Sequence, residues 1–343
     1  MVKTAMRSPT LNELPPPLPG RTGWPWTEES ESLPDKMPDD CHWPLVSIVT
    51  PSYNQGRFIE ETIRSVLMQG YPNLEYIIMD GGSTDDSLHI IRKYEPWLAH
   101  WISKPDRGQA HAINKGFAIA TGSLIGWINS DDQLLPGSLA LLAEMHQRDP
   151  AAILAGDVEE FGQGENPATR GDTVRIVQQK GLEFRNFVEF WTKRMTWHQP
   201  GVFFPAALLR QVGFLDETLH YAFDHDFMCR LSMNAQVHSL DMPIARFRRH
   251  SESKTGLKGY LFLLEVSRVS QRYWNLLPEV DESGHDQFVS DLLFRRGIRR
   301  CQQGHMDGLR LMWQALRMDP PSALGSIPRR IAIRLKKERR KLA

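Results

Sequence analysis

Two carboxylates stand side by side in NSDDQLLPG, residues 129–137, directly after the apolar run SLIGWI. Carboxylates crowded at a strand end repel one another unless a cation or a set of donors neutralises them. Asn129, Asp131 and Asp132 therefore read as oxygen ligands for Mg2+ or Mn2+, hard cations that accept one or two protein carboxylates and complete their shells with water and substrate phosphates. Capping of the next helix by the same aspartates is the plainer account of the tetrapeptide taken alone. A second polar loop, DGGSTDDS at 80–87, also follows an apolar run and opens a helix, and its two glycines let backbone approach a ligand closely. Asp80, at that strand end, either accepts a hydrogen bond from a nucleobase ring N–H or forms the turn. A third loop, KPDRGQAHAINKG at 104–116, presents Asp106, Arg107 and Gln109 beside a helix N-terminus, which suits phosphate or ribose oxygens and equally a solvated loop. A base acceptor, phosphate-facing donors and an acidic pair on three neighbouring loops together describe a nucleoside diphosphate site.

The elements that must carry these loops alternate. LVSIVT, LEYIIM, HWIS and SLIGWI are short apolar runs, and the first three lead through polar loops into segments of helical spacing, such as Phe58, Ile59, Ile63, Val66 and Leu67. Strands and helices in this order imply a mainly parallel, doubly wound sheet, with its polar loops gathered at the carboxyl edge where open α/β sheets bind ligands. Beyond residue 150 the pattern is mixed: ILAGDVEEF and TVRIVQ read as strands, HQPGVFF as a strand entering the helix PAALLRQVG, DHDFMCRLSMNA as a helix and VHSLDMPIARFRRH as closing strands. Helical patches follow at 257–275, 286–303, 306–317 and 326–341. Residues 1–44, with Pro15, Pro16, Pro17 and Pro19 nearly consecutive, read as an extended or partly disordered arm. Its Trp24 and Trp26, and Trp43 at its end, are apolar surfaces that need something to cover.

Composition bounds the rest. A chain of 343 residues with 41% hydrophobic and 24% charged side chains belongs with soluble globular proteins. Its 41 basic and 41 acidic residues cancel, so no global field exists to hold a polyanion. The three cysteines, Cys41, Cys229 and Cys301, fit neither a disulfide framework nor a zinc cluster, and a cytoplasmic setting is expected. No apolar run reaches the roughly 18 residues of a membrane span, and the N-terminus lacks the order of a signal peptide.

The motifs VSIVTPSYNQGRFIEETIRSVLMQGYPNLEYIIMDGGSTDDS, KPDRGQAHAINKGFAIATGSLIGWINSDDQLLPG, HQPGVFFPAALLRQVGFLDETLHYAFDHDFMCRL and RFRRHSESKT together resemble a family 2 glycosyltransferase of the GT-A fold, over about residues 45–256. The resemblance implies an α/β, Rossmann-like GT-A domain at 45–255, with a mixed, mainly parallel central sheet flanked by helices. Its nucleotide-binding half is 45–135, its acceptor half 136–255, and a helical C-terminal extension fills 256–343. It further implies that Pro51 and Tyr53 lie beside the nucleotide base with Asp80 bonded to it, and that Asn129, Ser130 and Asp131 stand at the DxD metal motif. Asn at the first acidic place departs from the family pattern, and Asp132 can share the metal. Asp224 in FDHD matches the general base, with Asp226 two residues further on, and His250 matches a late histidine that completes the metal shell or contacts the diphosphate. His198 and Gln199 would line the acceptor side, although a core role for His198 fits as well. The reaction so implied is inverting transfer of a sugar from a nucleotide-diphosphate sugar, UDP-sugars favoured, to a hydroxyl of a saccharide or lipid-linked saccharide in bacterial surface polysaccharide biosynthesis. Absence of a QxxRW motif points to single addition rather than processive synthesis.

Residues 326–341, SIPRRIAIRLKKERRK, carry eight basic residues and one acidic residue among isoleucines, the pattern of a helix lying on an anionic membrane surface or of a solvated terminus. Without groove-reading motifs it does not suit nucleic acid. The tail from Gly256 packs either on the body or on a second copy in a homo-oligomer. Two rivals remain at this point, a non-catalytic nucleotide-sugar binder that has lost its metal at Asn129, and a nucleotidyltransferase, which would want a Gly- and Arg-rich first loop in place of PSYNQG.

Overall fold

A computed structural model of the chain describes residues 6–162, 175–250 and 254–323, with side chains of the last stretch from residue 261. The amino-terminal half alternates as its apolar runs require: β1 (Val46–Ser52), α1 (Ile59–Leu67), β2 (Leu74–Asp80), α2 (Ser87–Tyr94), β3 (His100–Ser103), α3 (Gln109–Phe117) and β4 (Leu124–Trp127). Crossover helices bring these strands side by side in parallel, with Val46 opposite both Leu74 and Leu124, and Ser52 opposite Asp80. The chain continues through β5 (Gln133–Leu134), α4 (Ser138–Arg148), β6 (Ile153–Phe161), β7 (Arg175–Val177), α5 (Phe184–Val188), β8 (Val202–Pro205), α6 (Ala206–Val212), α7 (Phe223–Asn234) and β9 (Val237–Arg248). One sheet results, ordered β3-β2-β1-β4-β8-β6-β9-β5, with β7 on the outer part of β6. It is parallel from β3 to β4 and between β6 and β9, and antiparallel where β8, β5 and β7 join.

Both faces of the sheet are covered, which is why its strands are apolar without alternation. Val46, Ile48, Tyr76 and Ile78 enter one core with α1, α2 and α4, whereas Val49, Ile77, Met79 and Ile125 enter the other with α3, α6 and α7. The strand period of two sorts neighbouring residues to opposite layers. Three of the expected carboxy-terminal helices are present as α8 (Lys254–Gln271), α9 (Glu282–Gln302) and α10 (Asp307–Met318). The last two pack closely where Gly297 and Gly308 meet, since a Cβ at either would stand 2.6 or 2.5 Å from the other's carbonyl oxygen. The expected helix at 326–341 lies outside the described residues, as do Thr173 and Val174 of TVRIVQ and the serines of RRHSESKT. Among the described residues no helix is long and apolar enough to cross a membrane.

The amino-terminal arm runs along the body from Met6 onward, and its tryptophans find the cover they need. Met6 pairs with Leu74 as an antiparallel bridge, and Leu14, Trp26, Met37 and Trp43 are buried. The reason is Arg64 on α1, which is 0% exposed. Its guanidinium donates to the carbonyls of Pro15 (2.9 Å), Pro25 (3.0 Å) and Trp26 (3.0 Å) and to the Tyr94 hydroxyl (3.2 Å), and it lies 5.4 Å from the centre of the Trp26 ring. A proline-rich segment has few N–H groups but all its carbonyls, so a buried cation with five donors is a chemically matched anchor. The arm also reaches the acidic loop: Trp24 Nε1 donates to Leu134 O at 2.8 Å, and Gly137 N to Ser30 Oγ at 3.0 Å.

Removing the guanidinium strands several buried carbonyls, each costing about 1–3 kcal/mol. Arg64→Met should therefore lower unfolding free energy by at least about 3 kcal/mol in denaturant titration and expose residues 10–30 to limited proteolysis before the body is cut. A variant as stable and as resistant as the parent would show that the arm is held by other means.

Candidate functional site

Four loops meet at the carboxyl edge of β1 to β4, and each is tied to the next. Asn54, at φ +52°, bridges the first pair: its N–H donates to Ser83 Oγ (2.8 Å), and its Oδ1 accepts from Thr84 N (2.9 Å). Gly56 N donates to Asp85 Oδ2 at 2.8 Å. Gly81 joins the second loop to its neighbours, since a Cβ there would stand 2.7 Å from Asp106 Oδ2 and 3.3 Å from the Tyr53 ring. A side chain there would have to displace the Asp106 carboxylate. Gln109, at the start of α3, links the third loop to the fourth by donating to Asn129 Oδ1 at 2.8 Å.

Asp80 turns out to be a loop former. Its carboxylate accepts from Gly82 N (3.1 Å), Ser83 N (2.9 Å), Ser83 Oγ (2.5 Å) and Ser103 Oγ (2.6 Å), so four donors from its own loop and β3 occupy it. Tyr53, by contrast, is 61% exposed, and Pro51 is buried within β1, opposite Met79. Asp106 accepts from Gly108 N at 2.8 Å. Arg107 pairs with Glu217, whose Oε2 accepts from its Nε at 3.1 Å, while Asn114 holds the other oxygen of Glu217 at 3.1 Å.

The acidic pair is split by its surroundings. Asp132 is 1% exposed, and its oxygens accept from Arg248 N (3.0 Å) and Asn129 Nδ2 (3.1 Å), while its carbonyl accepts from Thr62 Oγ1 (2.7 Å). Burial, and then the charge of Asp131, push its pKa well above the usual carboxylate range. Sharing of a metal by Asp132, expected from its adjacency, does not match this inward placement. Asp131 is the outward member: its side chain is 23% exposed, and its Oδ2 lies 2.9 Å from His250 Nε2. His250 is packed against Phe58, with ring centres 4.9 Å apart, and its buried Nδ1 has no hydrogen-bond partner among the described residues. Ser130, the residue before Asp131, is buried.

Two donors 2.9 Å apart are compatible with adjacent positions on an octahedral Mg2+, which sits about 2.1 Å from each ligand. Among the described residues no group of three or more His, Cys, Asp or Glu is arranged to hold a metal. The residues present thus fit a hard cation that takes a few protein ligands and leaves the rest of its shell to phosphate oxygens and water.

Asp224, His225 and Asp226 open α7, and the 100° step of a helix turns them three ways. His225 enters the core, where its Nε2–H donates to Phe187 O at 2.9 Å and burial pushes its pKa down to about 4. Asp226 is buried and held by Arg230 Nε (3.0 Å) and the Tyr273 hydroxyl (2.9 Å). Asp224 alone of the three is half-buried, one turn before Phe227, whose ring packs 6.0 Å from that of Trp127, two residues ahead of Asn129. On the far side, Gln199 Nε2 donates to Trp127 O (2.8 Å), and its Oε1 accepts from Asn129 Nδ2 (3.3 Å). His198 stacks on Phe247 at 4.8 Å and bonds Glu160 Oε1 at 3.1 Å, and burial lowers its pKa against the pull of that carboxylate.

Sequence reading missed Arg248. Its Nε donates to Asp131 O (3.0 Å), its Nη2 to Glu61 Oε2 (2.8 Å), and its guanidinium lies over Phe161 (4.3 Å) and Phe58 (4.9 Å). The two-residue spacing of Arg246 and Arg248 in RFRRH puts both on one strand face, but Glu61 stands 187 positions away and no local signal joins them.

Asn129 is where these contacts cross: its amide group gives two hydrogen bonds and takes one, which a carboxylate cannot reproduce. Asn129→Asp should therefore destabilise the ligand-free protein by about 1–3 kcal/mol. A melting temperature at or above that of the parent in metal-free buffer would refute this role of the amide.

Comparison with known proteins agrees with the geometry. The family model for glycosyl transferase family 2 matches residues 47–213. An uncharacterised glycosyltransferase of Mycobacterium tuberculosis is 33% identical over 193 residues, 55% of this chain and 70% of the relative. The chondroitin synthase of Escherichia coli is 29% identical over 285 residues, of which this chain spans 37% of the longer protein. Among solved structures, S. aureus TarS 1–349 in complex with UDP-GlcNAc superposes with a TM-score of 0.57 at 19% identity, covering 84% of this chain and 82% of that one. This chain spans half of a longer TarS structure. A Pyrobaculum calidifontis mannosyltransferase in complex with GDP-Man and Mn2+ gives 0.51 at 16% identity, covering 92% and 86%. With sheet order, loop edge and sequence in agreement, the chain belongs to glycosyltransferase family 2 and has the GT-A fold.

Proposed function

We propose that the chain is an inverting, metal-dependent, single-addition transferase that moves a sugar from a nucleotide-diphosphate sugar to a hydroxyl of a saccharide or lipid-linked saccharide of a cell surface. The observation that carries this reading is the outward Asp131–His250 pair, held at the carboxyl edge of β4 by Asn129 and Arg248. Asp131 and His250 would hold Mg2+ or Mn2+, which when bound neutralises charge on the departing diphosphate. Tyr53, exposed beside Gly81 and Asp106, offers its ring to the nucleotide base in a pocket that Asp80 and Pro51 shape from below. Gln109 and Ser130 border the diphosphate side, and Gln199, fixed to Trp127, borders the acceptor side with His198 behind it. Asp224, half-buried where Asp226 is buried and with its Oδ1 accepting from His225 N at 2.7 Å, takes the proton of the acceptor hydroxyl as it attacks the anomeric carbon opposite the leaving group. Complexes of the structural neighbours with UDP-GlcNAc and with GDP-Man support a nucleotide-sugar donor, a UDP-sugar first among the two. The aromatic first loop PSYNQG disfavours a nucleotidyltransferase, and the intact Asp131–His250 pair disfavours a non-catalytic binder.

A thermal-shift panel of UDP-, GDP-, ADP- and dTDP-sugars, with and without Mn2+, tests both donor and metal. Ligand at a hundredfold excess over Kd stabilises by about 2.7 kcal/mol. One nucleotide class should raise the melting temperature only with Mn2+, and Asp131→Ala should lose the rise. Asp224→Asn should keep it while transfer falls by about 10²–10⁴-fold. No metal-dependent shift with any donor would remove the site as described.

The membrane-facing part of this reading rests on α10, whose outer face exposes Met306, Leu309 and Trp313 beside Arg310 and Arg317, shortly before the eight basic residues of 326–341. Apolar and cationic side chains on one face suit an anionic lipid surface. Co-sedimentation with phosphatidylglycerol vesicles but not phosphatidylcholine vesicles is expected, and loss of binding in Trp313→Glu; equal binding to both lipids, or to neither, would refute the docking face.

A further inference from the structure

Helix α7 has no cap of its own. The residue before it is Ala222, which has no side-chain acceptor for the free N–H groups of the first turn. In the first turn His225 N donates to Asp224 Oδ1 at 2.7 Å, and the amides just before the helix find their acceptor on the carboxy-terminal extension. Glu265 on α8 accepts from three successive amides with one carboxylate: Oε1 from His220 N (3.1 Å), Oε2 from Tyr221 N (2.5 Å) and Ala222 N (2.7 Å). About two turns further along, the residues just past the end of α8 hold α7 again. The Tyr273 hydroxyl donates to Asp226 Oδ1 at 2.9 Å, and Arg272 Nη1 bridges Asp216 (2.8 Å) and Asp226 (3.4 Å). Asp224 lies between these two anchors, two residues after Ala222 and two before Asp226.

We propose that Glu265 is a positioning residue for transfer: by capping the amides of 220–222 it fixes the backbone that aims the Asp224 carboxylate at the acceptor hydroxyl. The inference rests on the reading of Asp224 as general base. A carboxylate that accepts several backbone N–H groups at a helix N-terminus is strongly held, because charge-assisted bonds and the helix dipole act together. General-base catalysis falls steeply when the base is displaced, so an ångström of freedom at Asp224 affects turnover before it affects donor binding. The matched family model ends at residue 213, before either partner in this contact. The extension is thereby a working part of this enzyme's acceptor side rather than an appendage.

The test compares Glu265→Gln, Glu265→Ala, Asp224→Asn and the double variant Asp224→Asn/Glu265→Gln in the full chain. Two quantities are read: kcat for release of nucleoside diphosphate from the sugar nucleotide that gives the largest thermal shift, and Kd for that nucleoside diphosphate with Mn2+ by calorimetry. Both Glu265 variants should lose at least tenfold in kcat with Kd changed less than twofold, and Glu265→Gln should have no further effect in the Asp224→Asn background. Unchanged kcat in both Glu265 variants, with Asp224→Asn inactive, overturns the positioning role alone. Parallel loss of kcat and nucleotide affinity assigns Glu265 to folding and also overturns it. Full turnover by Asp224→Asn overturns the base reading itself, which separates that failure from the others.

Discussion

Negative charge gathered at the end of a buried strand is the constraint around which this site is built. Asp131 and Asp132 are adjacent, and two carboxylates so placed in a low-dielectric interior cannot both stay ionised without compensation. The chain resolves this by sending the two in opposite directions. Asp132 goes inward to the Arg248 N–H and the Asn129 amide, and Asp131 stays at the surface of the crevice with His250. A neutral residue at position 129 is part of that solution, because an acid there would add a third acceptor where donors are needed. An amide at position 129 thus has a hydrogen-bonding reason.

The same logic recurs farther out, in three charged groups buried or half-buried against backbone. Arg64 collects the carbonyls of the proline-rich arm, Arg248 the carbonyl of Asp131 and the carboxylate of Glu61, and Glu265 the amides before α7. Each joins segments remote in sequence, and each is costly to leave half-satisfied. Such contacts form together or not at all, which gives a crevice made of loops the rigidity that loops alone lack. The arm, through Trp24 and Leu134, and the extension, through Glu265, brace the two sides of one site.

Much of this was legible from the residues. The strand and helix alternation of the first half follows from apolar spacing, and every expected strand from β1 to β4 is present at its place. The polar loops at their carboxyl ends do converge, as crossover geometry requires. The second half was legible by segment but not by pairing: ILAGDVEEF became β6, yet that it would lie between β8 and β9 depends on which edges remained open. That the arm's tryptophans need cover was legible, but proline content signals only a lack of internal hydrogen bonding and says nothing of a buried arginine ready to take the free carbonyls.

What the sequence determined by itself was chemistry and local order: which side chains can accept, donate or ligate, and which stretches bury a face. Those are properties of neighbours within a few residues, and periodicity reports them. Only tertiary structure decided which of two adjacent acids faces out, which of Asp224 and Asp226 is the more deeply buried, and that Asp80 serves its own loop. Each of those outcomes depends on a partner from another element, Arg248, Tyr273 or Ser103, and on the burial that makes an unpartnered charge costly. Adjacent acids are chemically alike in sequence, and become different only when the packed chain gives one of them water and the other an amide.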